Sequence, residues 1–337
     1  MTTPFDPRAA FDAALIPLMR DRLAEYYARF RAREAEAVRT MARGADAGSP
    51  RYLVRDCPCC AAASAGIAPV LQAHGMSLLD CPECGLTYSR EVMEEAVDSA
   101  RYEASLVDRE SMRLRGSPPY LELETARDRY YLSVLMEGAA APGRLLEIGS
   151  GTGTLLLEAE RLGWRALGIE PGAAAAEMAR GRGARIAQGW FPADLPEDAR
   201  EFDAICVLDV LEHFADPLRF LDRLHAHLEP GGRLFVQVPN WDSPLIRIQG
   251  AAGSTVCPGH WSYFTPTTLT AVAARAGFRV LHMETVVSQI DLIAASPPDQ
   301  VRDCVRRLRP NAPAWPFAAS TLLDLDLGYK LIGVFIR

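Results

Sequence analysis

The stretch Leu145-Leu-Glu-Ile-Gly-Ser-Gly-Thr-Gly-Thr154 decides the fold class of this chain. An apolar run typical of a β-strand carries Glu147 and breaks at three alternating glycines, Gly149, Gly151 and Gly153. A helical pattern of apolar residues follows over 155–162. Glycines in such a turn let a ligand approach the backbone closely, and the helix N-terminus favours partial negative charge. The stretch therefore predicts an α/β fold with a ligand site at the end of this strand.

The next apolar run, residues 165–170, ends in Glu170. Its carboxylate lies near the sequence distance at which nucleotide-binding α/β folds hold ribose hydroxyls. A nicotinamide-dinucleotide fingerprint would need a further glycine at position 154 or 156, where Thr154 and Leu156 stand instead. The spacing therefore disfavours a dinucleotide site.

The pattern Glu-x-Gly-x-Gly-x-Gly over 147–153 resembles the first motif of class I S-adenosylmethionine-dependent methyltransferases. Residues 202–217 resemble the fourth strand and following loop of that family, and residues 230–239 its fifth strand. The resemblance implies S-adenosyl-L-methionine as the cofactor and methyl transfer as the activity.

Alternating strand and helix patterns predict a Rossmann-like, doubly wound α/β sheet of seven strands, whose last strand the family pairs antiparallel. The predicted strands are 144–148, 165–170, 184–188, 202–208, 232–238, 277–285 and 329–337. Ligands bind at the carboxyl ends of the strands in such folds. We therefore expect the connections over 240–266 and 288–328 to form a substrate cap.

Four segments are predicted along the chain. Residues 1–50 hold a long helix over 8–43 and a linker, residues 51–90 a cysteine module, residues 91–141 a helical connector, and residues 142–337 the methyltransferase domain. The N-terminal helix either packs on the catalytic domain or forms a lid or the seam of a homodimer.

Two Cys-x2-Cys pairs, separated by residues 61–80, predict a metal site. Such turns present four thiolates tetrahedrally, as a closed structural zinc site requires. The predicted ligands are Cys57, Cys60, Cys81 and Cys84. Cys59 is an alternative to Cys60, and a disulfide or redox-active thiol set is the alternative to metal. The order of module, connector and catalytic domain over 52–337 resembles a bacterial subgroup that includes sugar C-methyltransferases and other small-molecule tailoring enzymes.

The resemblance also implies roles for individual cofactor-site residues. Glu147 and the backbone at Gly149 and Gly151 would face the methionine end, and Glu170 the ribose hydroxyls. Where many relatives have an adenine-binding acidic residue, this chain has Gln188-Gly-Trp190-Phe191. We expect Trp190 or Phe191 to flank the ring and Gln188 or backbone to supply polar contacts, the alternative being that both aromatics are core. Asp209 would line the same pocket.

Two histidines are the predicted candidates for a general base that would take a proton from the methyl acceptor. His213 follows strand four, where the transferred methyl group should emerge, and suits a general base because imidazole titrates near neutrality. Glu212 would orient its ring or cap a helix. His260 is the second candidate base. Trp241 and Tyr263, in the first cap segment, are predicted to contact the substrate.

Net charge, hydropathy and cysteine content argue against several classes of function. The formal net charge of −7 argues against a broad nucleic-acid surface. No apolar run approaches the ~20 residues of a membrane span, and the N-terminus lacks the order of a signal peptide. We therefore expect a cytoplasmic protein, with the eight cysteines in a reducing compartment. Lys330 is the only lysine, which we attribute to genome composition.

Together these features predict methyl transfer to a small molecule, a sugar or natural-product intermediate, on carbon, oxygen or nitrogen. One alternative is an RNA or protein methyltransferase that uses the zinc module as a reader. Another is a cofactor-binding interaction protein without catalysis.

Overall fold

The computed structural model describes residues 52–95, 98–99, 112–113, 115–138, 141–286, 290–314 and 319–337. The predicted N-terminal helix over 8–43, with its homodimer seam, lies outside these residues. Within them, no helix is both long and apolar enough to cross a bilayer.

The described strands fall into a small N-terminal group and a large sheet. The first group is β1 (Tyr52–Val54), β2 (Leu71–Ala73), β3 (Met76–Asp80), β4 (Thr87–Ser89) and β5 (Glu91–Met93). The large sheet comprises β6 (Arg144–Ile148), β7 (Arg165–Glu170), β8 (Ile186–Gln188), β9 (Phe202–Leu208), β10 (Leu228–Pro239), β12 (Arg279–Val286) and β13 (Lys330–Ile336). The short strand β11 (Ser262–Tyr263) lies in the loop that follows β10.

The large sheet confirms the predicted doubly wound architecture. Its strand order is β12-β13-β10-β9-β6-β7-β8, and β13 is antiparallel to both of its neighbours. The pairings among the strands from β10 to β8 are parallel. The third strand is shorter than predicted, and the fifth begins earlier, at Leu228, because a register shift between Leu228 and Arg233 extends its pairing with β9.

Nine α-helices are described, and several of them cover the two faces of this sheet. They are α1 (Pro118–Met136), α2 (Thr154–Arg161), α3 (Ala173–Gly181), α4 (Pro217–His227), α5 (Pro244–Gln249), α6 (Pro266–Arg275), α7 (Ile290–Ala295), α8 (Pro298–Leu308) and α9 (Ala319–Asp324). Successive residues of β6 enter opposite cores, since side chains alternate across a strand. Leu145 packs with Tyr131 and Phe235 on one face, and Leu146 with Phe220 on the other.

The cysteine module is joined to the loop after β10 by a shared sheet. Its order is β11-β4-β3-β2, and the register places Ser262 opposite Tyr88 and Tyr263 opposite Thr87. The loop that carries His260 is therefore built partly on the N-terminal module.

The two predicted cap segments pack on each other. Trp241, Leu245 and Tyr263 of the first share a buried cluster with Val301 and Leu322 of the second. This cluster fixes the loops that border the carboxyl edge of the sheet.

Candidate active site

The glycine turn adopts a conformation that only glycines accept readily. Gly149, Gly151 and Gly153 have φ values of +73°, +50° and +72°. A Cβ on Gly149 would lie 2.8 Å from the Val210 side chain, whereas one on Gly151 would meet nothing nearer than the Arg115 guanidinium at 4.0 Å. Packing therefore requires Gly149, and Gly151 leaves an open cradle beside the backbone.

Glu170 lies beside this cradle. One carboxylate oxygen accepts a hydrogen bond from the backbone N–H of Gly151 at 2.9 Å, and the other from that of Gly172 at 2.8 Å. Two donors from separate loops fix the carboxylate at the end of β7. The structure thus brings the predicted ribose acceptor next to the predicted glycine cradle.

Glu147 is buried within β6, and its Oε2 has no hydrogen-bond partner among the described residues. Burial raises the pKa of this carboxyl well above its usual range, and the nearby Asp128 adds to the effect. An oxygen of this group remains available to a donor from a bound molecule.

The three predicted adenine-side residues separate in the structure. Gln188 is exposed at the end of β8, and Trp190 is half-buried in the following loop. Phe191 is buried, edge-on to Phe220 and His227 at centroid distances of 6.1 and 5.0 Å. These contacts place Phe191 in the core and leave Trp190 as the more accessible of the two aromatic candidates, so the expectation that one of them flanks the ring stays a prediction.

Asp209 is held rigidly at the end of β9. Its φ is +54°, its backbone N–H donates to the Gln237 carbonyl at 2.8 Å, and its Oδ1 accepts from Gln237 Nε2 at 2.7 Å. Lys330 Nζ donates to the same oxygen at 2.5 Å. Burial alone would raise the pKa of Asp209, but Lys330 and Gln237 outweigh it and lower that pKa.

His213 and His260 come together at this edge. Their rings meet edge to face with centroids 4.6 Å apart. His213 Nδ1 lies 2.8 Å from the Gly259 carbonyl, which can only accept, so Nδ1 is the donor in this contact. Burial, with His213 and Lys330 adding to it, lowers the pKa of His260 well below its usual range.

Glu212 is buried against this pair. Its side chain has no hydrogen-bond partner within the described part of the chain, so the Gly259 carbonyl, not Glu212, orients the His213 ring. Burial raises the pKa of Glu212 well above its usual range, and Asp209 adds to the rise. Side-chain ligand atoms of Glu212, His213 and His260 all lie within 4.8 Å of one another.

Trp241 and Tyr263 lie inside the cap rather than on an open surface. They are 3% and 4% exposed, and their ring centroids are 5.0 Å apart. The backbone N–H of Trp241 donates to the Phe264 carbonyl, and Tyr263 is paired with Thr87 through β11 and β4. Their placement makes them scaffold for the cap, and their contact with the acceptor stays a prediction.

The two cysteine turns have matching geometry. The Cys57 and Cys81 carbonyls accept from the N–H groups of Ala61 and Gly85, and both of the latter residues have positive φ. Four sulfurs converge, with Cys57 Sγ 3.5 Å from Cys84 Sγ and Cys60 Sγ 3.4 Å from Cys81 Sγ. Cys60, not Cys59, belongs to this cluster.

Sequence patterns missed Arg55, which links the module to the histidine loops. Its guanidinium donates to the carbonyls of Ser89, Ala215 and Trp261. Ala215 lies two residues beyond His213, and Trp261 directly follows His260. No local motif marks such a long-range contact.

Sequence analysis also missed the position of Lys330 on Asp209. The available signal was its uniqueness among 337 residues, which we attributed to composition. Lys330 begins the last strand, which the family pairs antiparallel, so its position alone predicts that it lies at the carboxyl edge of the parallel strands.

Comparison with known proteins finds similarity over part of the chain. Residues 123–283 match the family model of a methyltransferase domain. A ubiquinone biosynthesis O-methyltransferase of Nitrobacter winogradskyi is 37% identical over 114 residues, which are 32% of this chain and 44% of that protein. A protein of the same description from Bradyrhizobium is 36% identical over 115 residues, 32% of this chain and 45% of that protein.

Among solved structures, a SAM-dependent methyltransferase of Archaeoglobus fulgidus is 17% identical, with a TM-score of 0.49, and the match covers 69% of this chain and all of that one. The chain spans less than half the length of the curated relatives it matches.

Proposed function

We propose that the protein transfers a methyl group from S-adenosylmethionine to a small-molecule acceptor, in keeping with the match of residues 123–283 to the family model of a methyltransferase domain. The observation that carries the proposal is the hydrogen bond from the backbone N–H of Gly151 to the Glu170 carboxylate. A carboxylate fixed by the turn's own N–H stands beside an open backbone cradle.

The residues at this edge fit S-adenosylmethionine, which supplies an electrophilic methyl group on a sulfonium. Glu170 would accept from the ribose hydroxyls, and the backbone at Gly149 and Gly151 would border the methionine end. The unpartnered oxygen of Glu147 would accept from a donor there. Trp190 and Gln188 would lie on the adenine side, and Asp209 would line the same cofactor pocket.

His213 is the proposed general base. The bond of its Nδ1 to the Gly259 carbonyl leaves Nε2 as the accepting nitrogen. The acceptor atom bonds to the methyl carbon as the carbon–sulfur bond breaks, and its proton passes to Nε2. His260, kept neutral by burial, packs against this ring without competing for the charge.

We further propose that Cys57, Cys60, Cys81 and Cys84 hold one structural zinc ion. Tetrahedral zinc with bonds of about 2.3 Å to sulfur separates its sulfurs by about 3.8 Å, close to the 3.4 and 3.5 Å found here. Four protein ligands leave no open position, so the ion would stabilise the module. Through β4 and Arg55 the module supports the His260 loop.

The acceptor is proposed to be a sugar or natural-product intermediate. The relatives described as ubiquinone biosynthesis O-methyltransferases favour an oxygen acceptor. Incubating the protein with methyl-labelled S-adenosylmethionine and a library of hydroxylated metabolites should label a small molecule and release S-adenosylhomocysteine. Label found only in RNA or protein fractions would contradict the proposal.

A further inference from the structure

Lys330 is the only lysine in the chain, where Lys and Arg together number 36. It begins β13, opposite Pro239 at the carboxyl end of β10 and Val286 at the end of β12. Because β13 runs antiparallel, its first residue lies at the edge where the parallel strands end. The only lysine side chain of the protein thus lies at the edge of the sheet where the parallel strands end.

Asp209 fixes the position of this ammonium but uses only part of its bonding capacity. An ammonium has three donors, and one of them is bound to Asp209 Oδ1. No other hydrogen bond from Nζ is found among the described residues. The side chains of Lys330 and Asp209 are 18% and 42% exposed, so both of them reach solvent at this edge of the sheet.

The choice of lysine over arginine matters here. A guanidinium would dock on the Asp209 carboxylate with two parallel N–H groups and turn its remaining donors away. A lysine ammonium is compact, so its two remaining N–H donors can both be directed at one acceptor atom. Asp209 also balances its charge, so the ammonium does not oppose the binding of a sulfonium nearby.

We propose that Lys330 binds the acceptor through an acidic oxygen, a phenol or enol hydroxyl that it holds as the oxyanion. The inference rests on the proposed function and specifies its acceptor class. The oxygen would accept from the two remaining N–H groups of Lys330, while its proton passes to His213. Glu212, whose oxygens have no partner among the residues described, would accept from a neighbouring hydroxyl of the same molecule.

The test uses 4-nitrocatechol, whose phenolate absorbs visible light. The probe is titrated into protein saturated with S-adenosylhomocysteine, at a pH where the free probe is largely protonated. Wild type should develop the phenolate band on binding. Lys330→Met should bind at least tenfold more weakly without that band, and Lys330→Arg should keep only part of it. Arg279→Met, which removes an exposed cation at the far end of β12, is the matched control and should resemble wild type.

An equally strong phenolate band in Lys330→Met, or no probe binding by wild type, would overturn the inference. Calorimetry with S-adenosylhomocysteine separates this result from failure of the proposed function, because cofactor binding needs no acceptor. If Lys330→Met does not fold, Lys330→Gln replaces it, because the amide can still donate to Asp209 but carries no charge. A full phenolate band in Lys330→Gln also overturns the inference.

Discussion

The rings of His213 and His260 stand nearly perpendicular, at 80°, with their centroids 4.6 Å apart. The two residues come from different loops, and the main chain joins these loops directly: Trp261 N–H donates to the Glu212 carbonyl at 2.8 Å. The proposed base, His213, is therefore positioned by two loops at once, and Arg55 holds both loops.

Replacing His213 by alanine should lower the turnover number by ~10²–10⁴-fold, the usual contribution of a positioned general base. Affinity for S-adenosylhomocysteine should hardly change, since the imidazole would meet the acceptor. Steady-state kinetics and calorimetry on the same preparation measure both. His282→Ala, on strand β12, serves as the control; near-normal turnover in His213→Ala would transfer the role to His260.

Glu212→Gln should be more stable than wild type, by a margin that grows as the pH rises above about 4.5. Burial raises the folded-state pKa of Glu212 well above 4.5, so in this window the unfolded chain has released a proton that the folded chain retains. Wild type therefore loses stability there, whereas the neutral amide does not titrate. Urea unfolding of both proteins between pH 5 and pH 8 tests this, and parallel curves would show that Glu212 ionises freely in the folded state.

Glu170→Ala should weaken the binding of S-adenosylmethionine and S-adenosylhomocysteine alike, because both contain the ribose. Loss of a charge-assisted hydrogen bond of ~1.5–3 kcal/mol corresponds to roughly ten- to hundredfold in affinity. The control is Glu177→Ala, which removes the same charge from an exposed position on α3. Equal affinities for the two variants would exclude Glu170 from the site.

The cysteine cluster predicts about one zinc ion per chain. Cys60→Ser and Cys81→Ser should lose the ion, whereas Cys59→Ser should retain it, since Cys59 lies outside the four converging sulfurs. Metal analysis by mass spectrometry after dialysis distinguishes the three variants. Retention by Cys60→Ser together with loss from Cys59→Ser would reverse the assignment of the first turn.

Sequence patterns predicted the large sheet well because its strands are apolar runs with local boundaries. The glycine turn and Glu170 were likewise predictable, since a fixed spacing along two adjacent strands sets their geometry. The role of Phe191 stayed open between two alternatives, because a buried and a ring-flanking aromatic share the same local sequence. Its neighbours Phe220 and His227 belong to a distant helix.

Contacts between remote segments escaped sequence analysis for a related reason. Arg55 reaches Ala215 and Trp261, and Lys330 reaches Asp209, across more than a hundred residues of sequence, and neither residue is part of a motif. Trp241 and Tyr263 were assigned to the substrate because aromatic residues in a cap suit that role. Tyr263 lies in a strand pairing with the N-terminal module that no local pattern encodes.

That pairing of Ser262–Tyr263 with Thr87–Ser89 has a consequence for how the protein is made. The cysteine module leaves the ribosome long before β11 is made, because roughly half of the chain is translated between β4 and β11. Until then β4 presents an unpaired edge, the kind of surface at which nascent chains associate wrongly. Early metal capture by the cysteine turns would hold the module in shape during that interval, so zinc supply during synthesis, rather than during turnover, would limit the yield of folded protein.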